Sequence, residues 1–157
     1  MSVHTESAAK PSRAAIATAL SRLRRGSLAA LVLVVAEYVI GVYVNLYVTV
    51  PTADHGRNLG TAISNGPALL SVHAVVGLLL GLAALGVLVQ SIMARRRIVV
   101  AASAVGLLAL AFASVAGTGF VRTGDTSASM AMAALTGIAL LCYAVNLYVL
   151  SQAGRRG

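Results

Sequence analysis

Four apolar runs, each long enough to cross a bilayer, leave this chain few ways to fold. They cover about 28–50, 68–92, 98–117 and 129–150. A helix rises about 1.5 Å per residue, so about 20 residues cross a hydrocarbon layer of about 30 Å. Backbone groups inside lipid must bond one another, which leaves helices or a closed barrel. The period-two alternation of barrel strands is absent, so the runs are expected to be helices. With 59% hydrophobic and 10% charged residues and a mean hydropathy of +0.89, the chain carries more apolar side chain than a soluble domain of 157 residues can bury. The expected architecture is all-α: a polytopic membrane protein built as an antiparallel bundle of four transmembrane helices, with the lipid bilayer as its first partner.

The net charge of +8 resembles that of a nucleic-acid-binding chain, but its placement points elsewhere. Lys10, Arg13, Arg22, Arg24 and Arg25 precede the first run, Arg95, Arg96 and Arg97 separate the second from the third, and Arg155 and Arg156 follow the fourth. The other side carries only Arg57 and Arg122, offset by Asp54 and Asp125. Cations gather on the cytoplasmic side of membrane proteins, so both termini are expected in the cytoplasm of a bacterial plasma (inner) membrane, and nucleic acid is set aside as a partner. Residues 1–26 then form a basic cytoplasmic tail, 27–151 the transmembrane domain and 152–157 a short second tail. Within the first tail, Ala14 to Arg25 is either disordered or a short amphipathic helix on an anionic leaflet, with Ile16, Leu20 and Leu23 on one face. The lone Cys142 forms no internal disulfide, and the lack of CxxC and CxxCH excludes dithiol chemistry and c-type haem attachment. Tyr43, Tyr47 and Tyr148, near the ends of runs, are expected as interface anchors.

The first two runs form a hairpin that holds the strongest polar signals. If Pro51 and Pro67 mark the same membrane surface, residues equally far from them lie at equal depth. Asn45 then meets His73, Gly41 meets Gly77, and Glu37 meets Gly81. Both triplets run at steps of four and so share a helix face. Membrane helices associate through close backbone approach and interhelical hydrogen bonds. Gly41, Gly77 and Gly81 are therefore expected as packing positions, and Glu37, Asn45 and His73 as a polar pocket. In the third run, Ala102, Gly106, Ala109, Ala113 and Gly117 form a small-residue stripe suited to helix packing. Thr118 to Ser127 reads as a polar linker in which Asp125, Thr126 or Ser127 caps the fourth helix. The pentapeptide Val-Asn-Leu-Tyr-Val at 44–48 returns at 145–149. A two-plus-two duplication would match runs one and three, so the repeat reads as chance or as two interfaces solved with the same residues.

Glu37 is the sharpest chemical signal, since an ionisable group within a span is expensive and marks a functional site by default. It serves a proton relay or a substrate contact, or makes a structural bond to Tyr143, Ser114 or a backbone carbonyl. His73 is a haem or metal ligand, or a neutral imidazole bonded to Asn45. A second axial ligand would come from Met130 or Met132, or from His73 of a second copy in a homodimer. His55, His73, Met130 and Met132 match no metal-ligand spacing, so no metal site is assigned. No GxSxG, HExxH, P-loop or paired-carboxylate pattern is present; the chain names no catalytic residue and leans away from an enzyme.

Two segments carry a resemblance: Glu37-x3-Gly41-x3-Asn45-Leu46-Tyr47 with His73-x3-Gly77, and Gly119-Phe120-x3-Gly124 leading to Ser129-Met130-x-Met132. Together they resemble uncharacterised four-span bacterial membrane proteins over most of 28–150. More distantly, the hairpin resembles part of a four-helix half of haem A synthase, whose helices place a histidine near the outer face. That family uses histidine pairs on two helices, and His73 is the matching position. The resemblance implies a b-type haem or a quinone-linked redox module using His73. The residues themselves lead to an accessory or assembly-type protein with a polar pocket between spans one and two, joined to a larger membrane complex or to a second copy. Proton-coupled transport of a small substrate through Glu37 is the remaining alternative.

Overall fold

The computed structural model describes residues 12–48, 60, 64 and 66–155. Four helices account for nearly all of them: α1 (Arg13–Tyr47), α2 (Ala68–Met93), α3 (Arg97–Thr123) and α4 (Thr126–Arg155). All four are long and apolar enough to cross a membrane. Their most apolar windows are at most 28% buried inside the bundle. The remaining apolar surface faces outward, the arrangement that lipid rather than water accommodates. The helices follow one another around a ring, with α1 against α2 and α4, and α3 against α2 and α4.

The helices run further than the apolar runs. α1 has 35 residues, about 52 Å at helical rise. The segment expected as a tail or a separate surface helix is instead the lower end of this helix, because Leu23 is fully buried and Leu20 packs against the same core. The linker expected from Thr118 is also helical as far as Thr123. Its hydroxyls do not compete with the helix, since those of Ser114, Thr118 and Thr123 each donate to the carbonyl four residues back. Gly124 stops α3 in the left-handed conformation, with φ 67°. Asp125 starts α4: its carboxylate accepts from the Ser127 backbone N–H at 2.9 Å and from the Ser127 hydroxyl at 2.7 Å. At the other end, α2 turns into α3 over Ala94–Arg96, where Arg95 takes φ 53° without being glycine.

The arginines at 22, 24, 25 and 95–97 bring one end of the bundle together, hereafter the basic end; Arg122 and Asp125 mark the far end. The core is lopsided between them. Toward the basic end, Leu23, Ala30 and Val34 meet Leu80, Ala84 and Val87, with Val99, Ala139, Tyr143 and Leu150 completing the cluster. Spacings of three and four residues give one seam per helix, as bundles require. Continued toward the far end, the same seams carry Glu37 and Gly41 on α1, and Gly77 and His73 on α2. Small and polar residues thus interrupt the apolar seams in the far half, where Val44 on α1 and Leu70 on α2 are again buried.

Candidate functional site

His73 and Glu37 face each other across the α1–α2 seam, with Nδ1 3.0 Å from Oε1. The two groups are close but not well aligned: among the described residues Nδ1 has no hydrogen-bond acceptor of good geometry. The side chains are 27% and 12% exposed, respectively. Each lies over a glycine of the opposite helix. A Cβ on Gly41 would stand 3.1 Å from His73 Cε1, and a Cβ on Gly77 would stand 2.8 Å from Glu37 Oε1. A Cβ at either glycine would make the opposing side chain shift, so the two glycines are the floor of the site. The second carboxylate oxygen, Glu37 Oε2, is enclosed and has no hydrogen-bond partner among the described residues. His73 lies about 8 Å and Glu37 about 15 Å along their helices from the far ends, Ala68 and Tyr47.

The hairpin register differs from the sequence expectation by four residues. His73 meets Glu37 and Gly41 rather than Asn45, and Gly77 meets Glu37 rather than Gly41. Gly81 makes no close contact, since a Cβ there meets nothing within 4 Å. Asn45 turns instead to α4, where its Oδ1 accepts from the Ser129 hydroxyl at 2.8 Å. Ser129 is a partner that sequence reasoning missed; its one signal was being a hydroxyl at the start of an apolar run. Met130 is 76% exposed, and Met132 packs against Gly117 of α3, where a Cβ would stand 3.0 Å from its sulfur. Neither methionine is shown beside His73. Ser114 donates to the Leu110 carbonyl. Asp54, His55, Arg57, Asn58 and Asn65 lie outside the described residues, as do Pro51 and Lys10.

A second polar contact sits in the apolar half. Asn146 Nδ2 donates to Ser103 Oγ at 2.9 Å, with both residues fully buried. The repeated pentapeptide therefore places each of its asparagines opposite a serine of another helix, Asn45 as acceptor and Asn146 as donor. Tyr143 is completely buried beside this contact, its ring against Gly106 at 3.3 Å from a Cβ there. The small-residue stripe of α3 is thus the floor on which Tyr143, Cys142 and Met132 rest. Among the described residues no group of three or more His, Cys, Asp or Glu is placed to hold a metal ion.

Chemically, the arrangement sets a carboxyl and an imidazole side by side within a membrane span, where ionisable groups are costly to place, and leaves Oε2 as an acceptor. Compared with known protein families, curated proteins and solved structures, the chain matches none.

Proposed function

We propose that this small integral membrane protein is an accessory or assembly-type binding module rather than an enzyme. In this reading the plasma membrane holds it with both termini in the cytoplasm, and its polar pocket lies in the outer half of the α1–α2 seam. The observation that carries the reading is Glu37 Oε2, an enclosed carboxylate oxygen without a partner beside an imidazole. Buried acceptors are nearly always satisfied, and of the described atoms that are not (with Ser27 Oγ, His73 Nδ1, Tyr143 Oη and Asn146 Oδ1), Oε2 is the one on a carboxyl group. The occupant is a donor-bearing group, presented by a partner in the membrane or by a small ligand. The wild type and Glu37→Gln are solubilised from native membranes in mild detergent and compared by size. A larger assembly that forms with the wild type and is lost in Glu37→Gln supports the module. A single small species in both, with equal helix content, removes it.

One observation favours a second reading. Histidines that ligate metals commonly place their other ring nitrogen against a carboxylate, which orients the ring. Glu37 beside Nδ1 leaves Nε2 of His73 for ligation. Among the described residues one chain supplies this single ligand, because Met130 points outward and Met132 is packed on α3. A b-type haem would therefore sit between two copies, each contributing His73. Absorption of the purified protein tests this: a Soret band lost in His73→Ala supports it, and a featureless spectrum after haem supplementation removes it.

A further inference from the structure

At the basic end, α1 and α4 diverge around a cleft of about 660 Å³. Its walls are Arg24, Arg25 and Leu28 from α1, and Leu147, Tyr148 and Ser151 from α4. The cleft is amphipathic in a definite order. Leu28 and Leu147 lie on the side of the membrane span, while Arg24, Arg25 and Ser151 lie toward the helix ends. The Ser21 hydroxyl, also in the wall, donates to Thr18 O, and the Ser151 hydroxyl donates to Tyr148 O, so the charged donors that remain for an occupant are the two guanidiniums. Both arginines are exposed. Among the described residues the carboxylates are Glu37, committed to His73, and Asp125, at the opposite end. Nothing anionic in the described structure neutralises this cleft.

A cleft with two guanidiniums at the level where a span meets water, and leucines directly beneath, matches one class of ligand. It fits a phosphate joined to an acyl-bearing glycerol. Guanidinium forks match phosphate oxygens in geometry as well as charge. Basic pockets between helices at this depth are suited to anionic headgroups. We propose that the α1–α4 cleft is a binding site for one anionic phospholipid, with Arg24 and Arg25 on the phosphate, the Tyr148 phenol at the glycerol level and Leu28 and Leu147 against the first acyl carbons. The proposal is independent of the Glu37–His73 pocket and stands whatever occupies that pocket.

Native mass spectrometry of the full chain tests it, using an equimolar mixture of phosphatidylglycerol and phosphatidylcholine with identical acyl chains. Two guanidiniums at a membrane surface correspond to roughly a 30-fold preference for the anionic lipid. Arg24→Gln/Arg25→Gln is expected to bring the preference close to one. Arg95→Gln/Arg97→Gln, which strips a separate cleft of about 530 Å³ between α2 and α3, is expected to leave it unchanged. Ser151→Glu keeps every arginine that orients the chain and adds a repelling charge in the cleft, so it is expected to abolish the preference even if the double arginine variant fails to fold. Equal loss in both arginine pairs would overturn the assignment in favour of bulk charge. Displacement of the lipid by millimolar inorganic phosphate would overturn it in favour of a free-phosphate site.

Discussion

Alanine at position 77 tests the site more directly than any substitution of the ionisable residues themselves. The new Cβ would lie 2.8 Å from Glu37 Oε1. Ordinary contact requires about 3.5 Å, so the carboxylate must retreat by about 0.7 Å. Oε1 is 3.0 Å from His73 Nδ1, so a shift of that size disturbs the pairing. Overpacking of this kind costs about 1–3 kcal/mol. Replacing a helical glycine with alanine returns about 1 kcal/mol through helix propensity. Gly77→Ala is therefore expected to destabilise the bundle by up to about 2 kcal/mol. Gly81→Ala, whose Cβ meets nothing within 4 Å, is expected to stabilise it by up to about 1 kcal/mol. The assay is reversible unfolding in mixed micelles, followed by helical circular dichroism. In a Glu37→Ala background the obstacle is gone, and Gly77→Ala should become neutral or favourable. The reasoning fails if the two glycine substitutions shift the midpoint alike, or if Gly77→Ala costs the same with and without Glu37.

Other consequences can be checked with the same preparation. His73→Ala removes the partner of the Glu37 carboxyl in the seam and should destabilise by about 1–3 kcal/mol, less than the roughly 3–5 kcal/mol of a fully buried broken pair because His73 is 27% exposed; Glu37→Gln in that background should restore part of the loss, and no restoration would show that the two groups do not interact. Gly106→Ala presses a methyl to 3.3 Å from the buried Tyr143 ring and from Cys142 Cβ, so a loss of about 1–2 kcal/mol is expected, and unchanged unfolding would refute the α3–α4 packing described. The Asp125 carboxyl is held below its ordinary value of 3.8 by the Ser127 backbone N–H and then the Ser127 hydroxyl. A depressed folded pKa means that its capping contribution is complete above the ordinary value and is lost as pH falls through the folded value, so protection of the Ser127 amide should decline there in the wild type and not in Asp125→Ser. Arg95→Gly should be neutral or stabilising by up to about 1 kcal/mol, since φ 53° strains any residue with a Cβ; a clear loss would show that the arginine side chain outweighs its backbone.

The spans were legible because lipid leaves the backbone no alternative, and an apolar run of span length has one stable form. Helix ends were not. Arg13–Ala29 lacks a continuous apolar run, yet it is helical because Leu20 and Leu23 find the base of the core, a tertiary contact that local pattern does not announce. Thr118–Thr123 looked like a linker from its glycine and hydroxyls, and it remains helical because those hydroxyls bond back onto their own helix. The Asn45–Ser129 and Asn146–Ser103 contacts join helices distant in sequence, so neither could be paired from spacing within one run.

The register error has a cause that can be stated in residues. Pro51 and Pro67 were treated as equivalent markers of depth. α2 begins immediately after Pro67, whereas α1 ends at Tyr47, four residues before Pro51. Four residues are close to one helical turn, so the displacement moved every partner along the seam without rotating any residue off it. That is why the polar and glycine positions were found while their pairing was not. The distinction matters for what the site is. Had Asn45 met His73, an amide and an imidazole would have formed a hydrogen-bonded structural clasp with no carboxyl group in it. With Glu37 there instead, the seam holds an acid and a base 3.0 Å apart, each seated on the other helix's glycine. The two ionisable side chains of the seam therefore lie against each other, with Glu37 Oε2 enclosed beside them and without a hydrogen-bond partner among the described residues.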